Sequence, residues 1–284
     1  MTSPRTAAAI EDGPAVLRLG ANQNGRDFAI GDIHGCMDAI IDTMSAVHFN
    51  VRRDRLFVCG DLVDRGEENE EVVALIDEPW FFSVRGNHDQ AAIHLYRESQ
   101  ASTQTPPPAV ATTSPAAPAR VDDQWLRDLI AHQPQAARSV VQQLARLPLA
   151  ISIEGRHTRI GLVHADIPEG FSWQNALRAL ESGDPEWVRY VLWARPAFGT
   201  GSDAPIMGVD QIYVGHTPLV QPRCRGNVWY VDGGGVYKAT RDKQTQSRAH
   251  YAGAWNLIRL DTPEHPMQFP PFEYGLLRVY GARN

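Results

Sequence analysis

The chain has 284 residues, 43% hydrophobic and 21% charged, with a formal net charge of −6. That length admits one large α/β domain, or two small ones, with a sizeable core, and the acidic balance argues against a general nucleic-acid binder, which needs clustered Lys and Arg. No apolar run approaches the ~18 residues needed to cross a bilayer, and three cysteines, Cys36, Cys59 and Cys224, form no disulfide framework and suit a reducing, cytoplasmic setting.

In chain order, residues 1–24 read as a loose leader. The stretch to about Arg18 is Ala/Pro-rich without period, and Ala7-Ala8-Ala9-Ile10 is too short for a signal-peptide core. From residue 25 to 284 the pattern predicts a single domain. Phe28-Ala29-Ile30 reads as a strand running into GDIHG (Gly31–Gly35), and Ala39, Ile40, Met44 and Val47 then recur at helical spacing. Leu56-Phe57-Val58 leads into GDLVDRG (Gly60–Gly66), and a helix carrying Val72, Val73, Leu75 and Ile76 follows up to Pro79. Phe81 to Val84 leads into GNHD (Gly86–Asp89). The steps of about 30 residues between these loops match βαβ units, which would bring three loops to one edge of one sheet.

Ser99–Arg120 (SQASTQTPPPAVATTSPAAPAR) has no aromatic, Leu or Ile, and reads as a disordered insertion. Beyond it the chain turns helical, is interrupted at Pro134, and carries an apolar stripe of Val140, Val141, Leu144 and Leu147. A hairpin is expected from Leu149–Ile153 and Arg159–His164, the latter ending in HAD (His164–Asp166). Gln211–Val214, which runs into GHT (Gly215–Thr217), Val228–Val231 and Trp255–Arg259 are further strands; Leu276, Leu277 and Val279 are expected to dock on the body.

Five apolar runs thus end in loops that carry hard or borderline metal ligands. Ligands bind beyond the carboxyl ends of strands in open α/β sheets, so convergence of these loops would gather Asp32, His34, Asp61, Asn87, His164 and His216. Asp32 and His34 would grip one divalent ion, Asp61 would bridge, and Asn87, His164 and His216 would complete a second. Mixed carboxylate, imidazole and amide donors suit Mn²⁺, Fe or Zn²⁺. Two such ions ~3.5–4 Å apart acidify a bridging water and clamp the attacking and leaving oxygens of an in-line displacement. They would also reverse the local charge, so the net acidity says little about a phosphate substrate. Among non-ligands, His88 oriented by Asp64 makes a competent general acid, and Arg65 suits phosphoryl oxygens. Cys36, at the start of a helix, reads as a filler behind a tight turn rather than a reactive thiol.

Together these segments resemble the calcineurin-like metallophosphoesterases, specifically the phosphoprotein-phosphatase branch and its lambda-phage-type bacterial serine/threonine and tyrosine phosphatases. The likeness is carried by GDLVDRGEENEEVVALIDEPWFFSVRGNHDQ (Gly60–Gln90), VHADIP (Val163–Pro168), VLWARP (Val191–Pro196) and YVGHTPLVQP (Tyr213–Pro222), and runs from about Asp27 to Leu260. The resemblance implies two mixed β-sheets in a central sandwich flanked by helices. It implies two divalent metals, commonly manganese, on the six ligands above. By the same pattern His88 with Asp64 protonates the leaving group, while Arg65, Asn87 and Arg195 bind the phosphate. Direct attack by the metal-bridging hydroxide, without a phosphoenzyme, would then release phosphate from phosphoserine, phosphothreonine or phosphotyrosine of proteins. The chain departs from the pattern at Asp89, where the eukaryotic-type protein phosphatases carry Glu, and at Asp232-Gly233-Gly234. It departs again where Gln124-Trp125-Leu126 replaces a Gly-rich, Trp-containing patch.

The rival activity is hydrolysis of diadenosine tetraphosphate or another nucleotide on the same metal site. GNHD is common among those enzymes, but they usually lack the Asp that Asp64 supplies. A binding scaffold without activity would have lost a ligand or His88, and all are present. A nuclease lacks its basic, aromatic-studded groove here. The expected partner is a phosphoprotein or phosphopeptide, with no nucleic acid and no membrane.

Overall fold

The computed structural model describes residues 10–102, 123–155, 158–195, 203–239, 255–260 and 277–280. In chain order its strands are β1 (Val16–Gly20), β2 (Asp27–Ile30), β3 (Arg55–Val58), β4 (Phe81–Ser83), β5 (Ala150–Glu154), β6 (Arg159–Val163), β7 (Gln211–Val214), β8 (Arg223–Arg225), β9 (Val228–Tyr230), β10 (Trp255–Arg259) and β11 (Leu277–Tyr280). The helices are α1 (Met37–Ala46), α2 (Asn69–Ala74), α3 (Asn87–Ser102), α4 (Gln124–His132), α5 (Pro134–Ala145), α6 (Trp173–Glu181), α7 (Pro185–Trp193) and α8 (Gly235–Ala239).

The strands form two mixed sheets, one ordered β11-β10-β2-β3-β4 and the other β1-β5-β6-β7-β9-β8. In the first, β2, β3 and β4 are parallel neighbours, with Phe28 opposite Leu56 and Leu56 opposite Phe81. This is the arrangement the spacing of the first three loops predicts. In the second, β5 and β6 make the expected antiparallel hairpin, and β6 pairs parallel with β7.

Alternation along each strand distributes side chains between layers, because successive residues face opposite sides of a sheet. Phe28, Ile30, Leu56 and Val58 point to one core shared with Ala39 and Ile40 of α1, Val72 and Val73 of α2, and Val140, Val141 and Leu144 of α5. Ala29 and Phe57 point the other way and meet Ile151, Ile153, Ile160, Leu162 and Tyr213 of the second sheet. The second sheet's outer face, including Val163, Ile212 and Val214, is covered by Trp173, Ala176, Leu177 and Leu180 of α6 and by Val191 and Leu192 of α7. The result is a helix–sheet–sheet–helix sandwich. Complete burial of side chains such as Phe57, at 0% exposure, contributes about 1.5–3 kcal/mol apiece.

Local signals fix the helix starts. Pro134 occupies the first turn of α5 and Pro185 that of α7, where a missing N–H costs nothing. Ser172 caps α6 by accepting from the Asn175 N–H.

Two boundaries of the sequence reading are corrected. The leader assigned to residues 1–24 contains β1, whose Val16 to Gly20 pair in parallel with Ala150 to Glu154. Val16 is buried against the α6 layer, so a short apolar run inside Ala/Pro-rich sequence becomes an edge strand once β5 offers its ladder. The insertion assigned to residues 99–120 begins too early, since α3 continues through Ser102 and Ser99 Oγ–H donates to the Tyr96 carbonyl. Most of that insertion lies outside the described residues, as does the expected docking of Leu276; β11 pairs with β10 as anticipated for Leu277 and Val279. No helix among the described residues is long and apolar enough to cross a membrane.

Candidate active site

The carboxyl ends of β2, β3, β4, β6 and β7 meet at one end of the sandwich, and their loops interlock through the backbone. The Ile33 and His34 N–H groups donate to the Asp61 carbonyl, Gly35 N–H to Leu62, and Gly215 N–H to His164. His34, Asp61, Asp64, Arg65 and His216 all take left-handed backbone conformations, with φ between 51° and 72°. Each such non-glycine residue costs on the order of 1–3 kcal/mol and persists only where its surroundings hold it. Concentration of this strain on candidate site residues marks the loops as built for placing side chains. The glycines have a different task. A Cβ on Gly86 would lie 2.1 Å from Asp61 Oδ1, and one on Gly215 would lie 2.0 Å from Asp32 Oδ1. Only glycine lets these carboxylates sit against the neighbouring loop.

Asp61 is at the centre. Its Oδ2 lies 3.6 Å from His34 Nε2 and 3.5 Å from His164 Nε2, so one carboxylate oxygen stands between two imidazoles. Its Oδ1 accepts from the His88 backbone N–H at 2.9 Å. Burial alone would raise the Asp61 carboxyl, but the facing His164, His88, His34 and His216 outweigh it and hold the group well below the usual range. The histidines are fixed as lone-pair donors. Nδ1–H of His34 donates to the Val63 carbonyl and Nδ1–H of His164 to the Cys59 carbonyl, both at 2.8 Å, so each Nε2 faces the cleft unprotonated. Burial lowers the affinity of both for a proton, and pushes His216 down to about 2.

Asn87 Oδ1 lies 2.8 Å and His216 Nδ1 3.1 Å from His164 Nε2. Lone pairs this close repel one another unless a cation lies among them. The donors Asp61, His164 and His216 converge within 4.8 Å, and so do His34, Asp61 and His88. This donor set fits a pair of divalent cations, with Asp61 common to both. Asp32 is the outlying member of the expected set. Its Oδ2 is 3.9 Å from His34 Nε2, and both its oxygens accept from the His216 N–H. Burial and the nearby Asp232 and Asp61 push its carboxyl well up, a cost that a bound cation would remove.

The non-ligands group beside this cluster. His88 Nδ1 is 2.7 Å from Asp64 Oδ2, while Trp125 Nε1–H donates to Asp64 Oδ1 at 2.7 Å. Burial pushes the Asp64 carboxyl up, and its bonds to His88 and Trp125 oppose that. Arg65 reaches His34 Nε2 with one guanidinium nitrogen and His88 Nε2 with the other, at 3.1 Å for the latter. Its guanidinium lies 5.0 Å from the centroid of the Tyr237 ring, a cation–π arrangement. Arg195 is exposed and approaches the His216 carbonyl at 3.4 Å, which places it on the rim of the same cleft. Thus Asp32, His34, Asp61, Asp64, Arg65, Asn87, His88, His164, Arg195 and His216 are all brought to one place.

Three neighbours had no site role in the sequence reading: Tyr237 was missed, while Trp125 and Asp232 were named only as departures from the family pattern. Trp125 and Tyr237 reach the site from helices after the insertion and after β9, and no local spacing announces them. Asp232 is buried beside Asp32, accepts from the Gly234 N–H at 2.8 Å, and is pushed up to about 6 by burial. Its strand-end position before a glycine run was a usable signal.

Asp89 does not face the cleft. Its two oxygens accept from the Leu62 and Gly86 N–H groups, stapling the second ligand loop to the third, and burial with Asp61 nearby pushes it up to about 7. Asp89→Ala leaves two buried N–H groups without acceptors, at about 1–3 kcal/mol each. A fall in the urea midpoint is expected, and an unchanged midpoint would refute the staple. Cys36 behaves as the filler it was read to be, its thiol pushed up to about 12 by burial, Glu68 and Asp38.

Comparison with known proteins agrees with this geometry. The family model for calcineurin-like phosphoesterases matches residues 28–244. Serine/threonine-protein phosphatase 1 of Salmonella typhimurium is 29% identical over 211 residues, 74% of this chain and 87% of that protein. The symmetrical bis(5'-nucleosyl)-tetraphosphatase of Yersinia pestis is 37% identical over 71 residues, 24% of this chain and 25% of that protein. Among solved structures, a cold-active protein-tyrosine phosphatase of a psychrophilic Shewanella shares the fold. Its TM-score is 0.53 at 15% identity, covering 88% of this chain and 79% of that one. With ligand loops, sandwich and family model in agreement, the chain belongs to the calcineurin-like phosphoesterases and is a hydrolase of phosphoesters.

Proposed function

We propose that the chain removes phosphate from phosphoserine and phosphothreonine, and from phosphotyrosine, of proteins. The observation that carries this reading is the Asp64–His88 pair beside Asp61, with Arg65 spanning His34 and His88. It joins a proton donor for an alkoxide leaving group to a cationic phosphate clamp. Asp32, His34 and Asp61 would hold one divalent ion, and Asp61, Asn87, His164 and His216 the other. When bound, two such ions, manganese on this reading with iron or zinc as alternatives, supply an activated water and neutralise phosphoryl charge. Arg65, Asn87 and Arg195 bind the phosphoryl oxygens and turn the ester oxygen toward His88. With Arg65 engaged by phosphate, His88 Nε2 is free to hold the proton it gives to the leaving oxygen, while Asp64 keeps the ring in register. Three free thiols, two of them buried, support a reducing compartment such as the cytoplasm.

Nucleotide hydrolysis is the second reading, favoured by the Yersinia tetraphosphatase match. Asp89, the residue that leans toward it in the sequence, spends both oxygens on backbone. The test is phosphate release by Mn²⁺-loaded protein from phosphoserine, phosphothreonine and phosphotyrosine peptides beside diadenosine tetraphosphate. Peptide turnover with little dinucleotide cleavage is expected; the reverse would make this a nucleotide hydrolase. Arg195→Ala should raise KM for phosphopeptides about tenfold, the scale of one charge-assisted hydrogen bond. Unchanged kinetics would remove Arg195 from the site.

A further inference from the structure

We infer that Trp125 is a positioning residue of the proton-donating pair, fixing the Asp64 carboxylate so that its second oxygen meets His88; this rests on the reading of His88 as the proton donor. Trp125 is the second residue of α4, a helix anchored in the core by Leu126 and Leu129. Its Nε1–H donates to Asp64 Oδ1, and Asp64 Oδ2 faces His88 Nδ1, both at 2.7 Å. Asp64 is 1% exposed, so Oδ1 cannot turn to bulk water for a substitute partner. The backbone beneath it is held as well, at φ 72° with its N–H donating to Asn69 Oδ1 at 2.8 Å.

The chemistry of the indole suits this task. It donates one hydrogen bond, accepts none and does not titrate in the working range. It therefore orients a carboxylate without entering the proton path. Each oxygen of Asp64 then has one assigned partner, which fixes rotation about the carboxylate's terminal torsion. During hydrolysis the P–O bond to the leaving oxygen breaks as the bond from the water oxygen to phosphorus forms. The His88 Nε2 proton passes to the leaving oxygen, while the proton on Nδ1 stays there, hydrogen-bonded to Asp64, which remains a carboxylate bonded to Trp125. The attacking water gives up its surplus proton to bulk water, from which Nε2 is reprotonated. Loss of the indole N–H lets the carboxylate rotate and the imidazole drift from the leaving oxygen.

The test exploits leaving-group chemistry. An alkoxide such as that of phosphoserine needs a proton, whereas p-nitrophenolate leaves without one. In Trp125→Phe the loss of kcat on a phosphoserine peptide should exceed the loss on p-nitrophenyl phosphate by about tenfold, within the range general-acid catalysis supplies. In a His88→Asn background the same change should add no further loss. Because Phe could disturb the packing of α4, site-specific incorporation of 3-benzothienylalanine at position 125 provides an isostere with sulfur in place of the N–H; it should give the same split. Equal losses on both esters by both replacements, or a fully additive loss in the His88→Asn background, would overturn the inference. If His88→Asn itself loses equally on both esters, the proton-donor reading fails instead. If His88→Asn shows the split and neither change at position 125 does, only the role of Trp125 fails.

Discussion

Asp61→Asn is expected to abolish hydrolysis, with a loss on the order of 10³-fold or more in kcat, and to leave fewer than two metal ions per chain. Asp61 is the carboxylate common to both donor groups, with His34 and His164 at nearly equal distances from one of its oxygens. The four facing histidines keep it ionised. Asn would preserve size and leave an oxygen for the His88 N–H, yet it would remove the carboxylate charge that the proposed pair of cations would share. A few kcal/mol of lost stabilisation corresponds to that factor. Metal content by mass spectrometry alongside kcat on p-nitrophenyl phosphate is the check. Two ions per chain with near-native turnover would deny Asp61 the bridging role.

The second large effect is expected at the proposed proton donor. His88→Asn should lower kcat on phosphoserine peptides by about 10²–10⁴-fold, the usual contribution of a positioned acid, while metal content stays at two per chain. The distances support the separation of roles. His88 Nε2 is 4.0 Å from Asp61 Oδ2, and its Nδ1 is committed to Asp64. Because His88 lies within reach of His34 and Asp61, the alternative has a clear signature: a metal lost in His88→Asn would reassign it as a ligand.

The parts legible in the sequence were those with local signals. Apolar runs Phe28–Ile30, Leu56–Cys59 and Ile212–Val214 end directly in Gly-Asp or Gly-His, so strand, turn and ligand are read in one pass. Parallel pairing of β2, β3 and β4 follows from their spacing, and Val140, Val141 and Leu144 on one helix face announced the packing of α5. Strand β8, Arg223-Cys224-Arg225, gave no apolar pattern because it is a mostly exposed edge that exists through pairing with β9. Helices α6 and α7 carried signals that were overlooked: Ser172 before Trp173, Ala176, Leu177 and Leu180, and Asp184 before Pro185. Tyr237, and the partner of Trp125, were beyond local reasoning, since each contact spans more than 60 residues of chain. Asp89 shows the opposite hazard. Read in a motif it suggests a substrate preference, but in space it is scaffolding between two loops.

The most direct test is to strip the protein with a chelator and titrate Mn²⁺ back, following bound metal and phosphate release from a phosphoserine peptide in the same samples. Two ions per chain are expected, with hydrolysis appearing only as the second site fills. Hydrolysis that survives chelation, or is complete with one ion bound, would contradict a dinuclear centre built on Asp61.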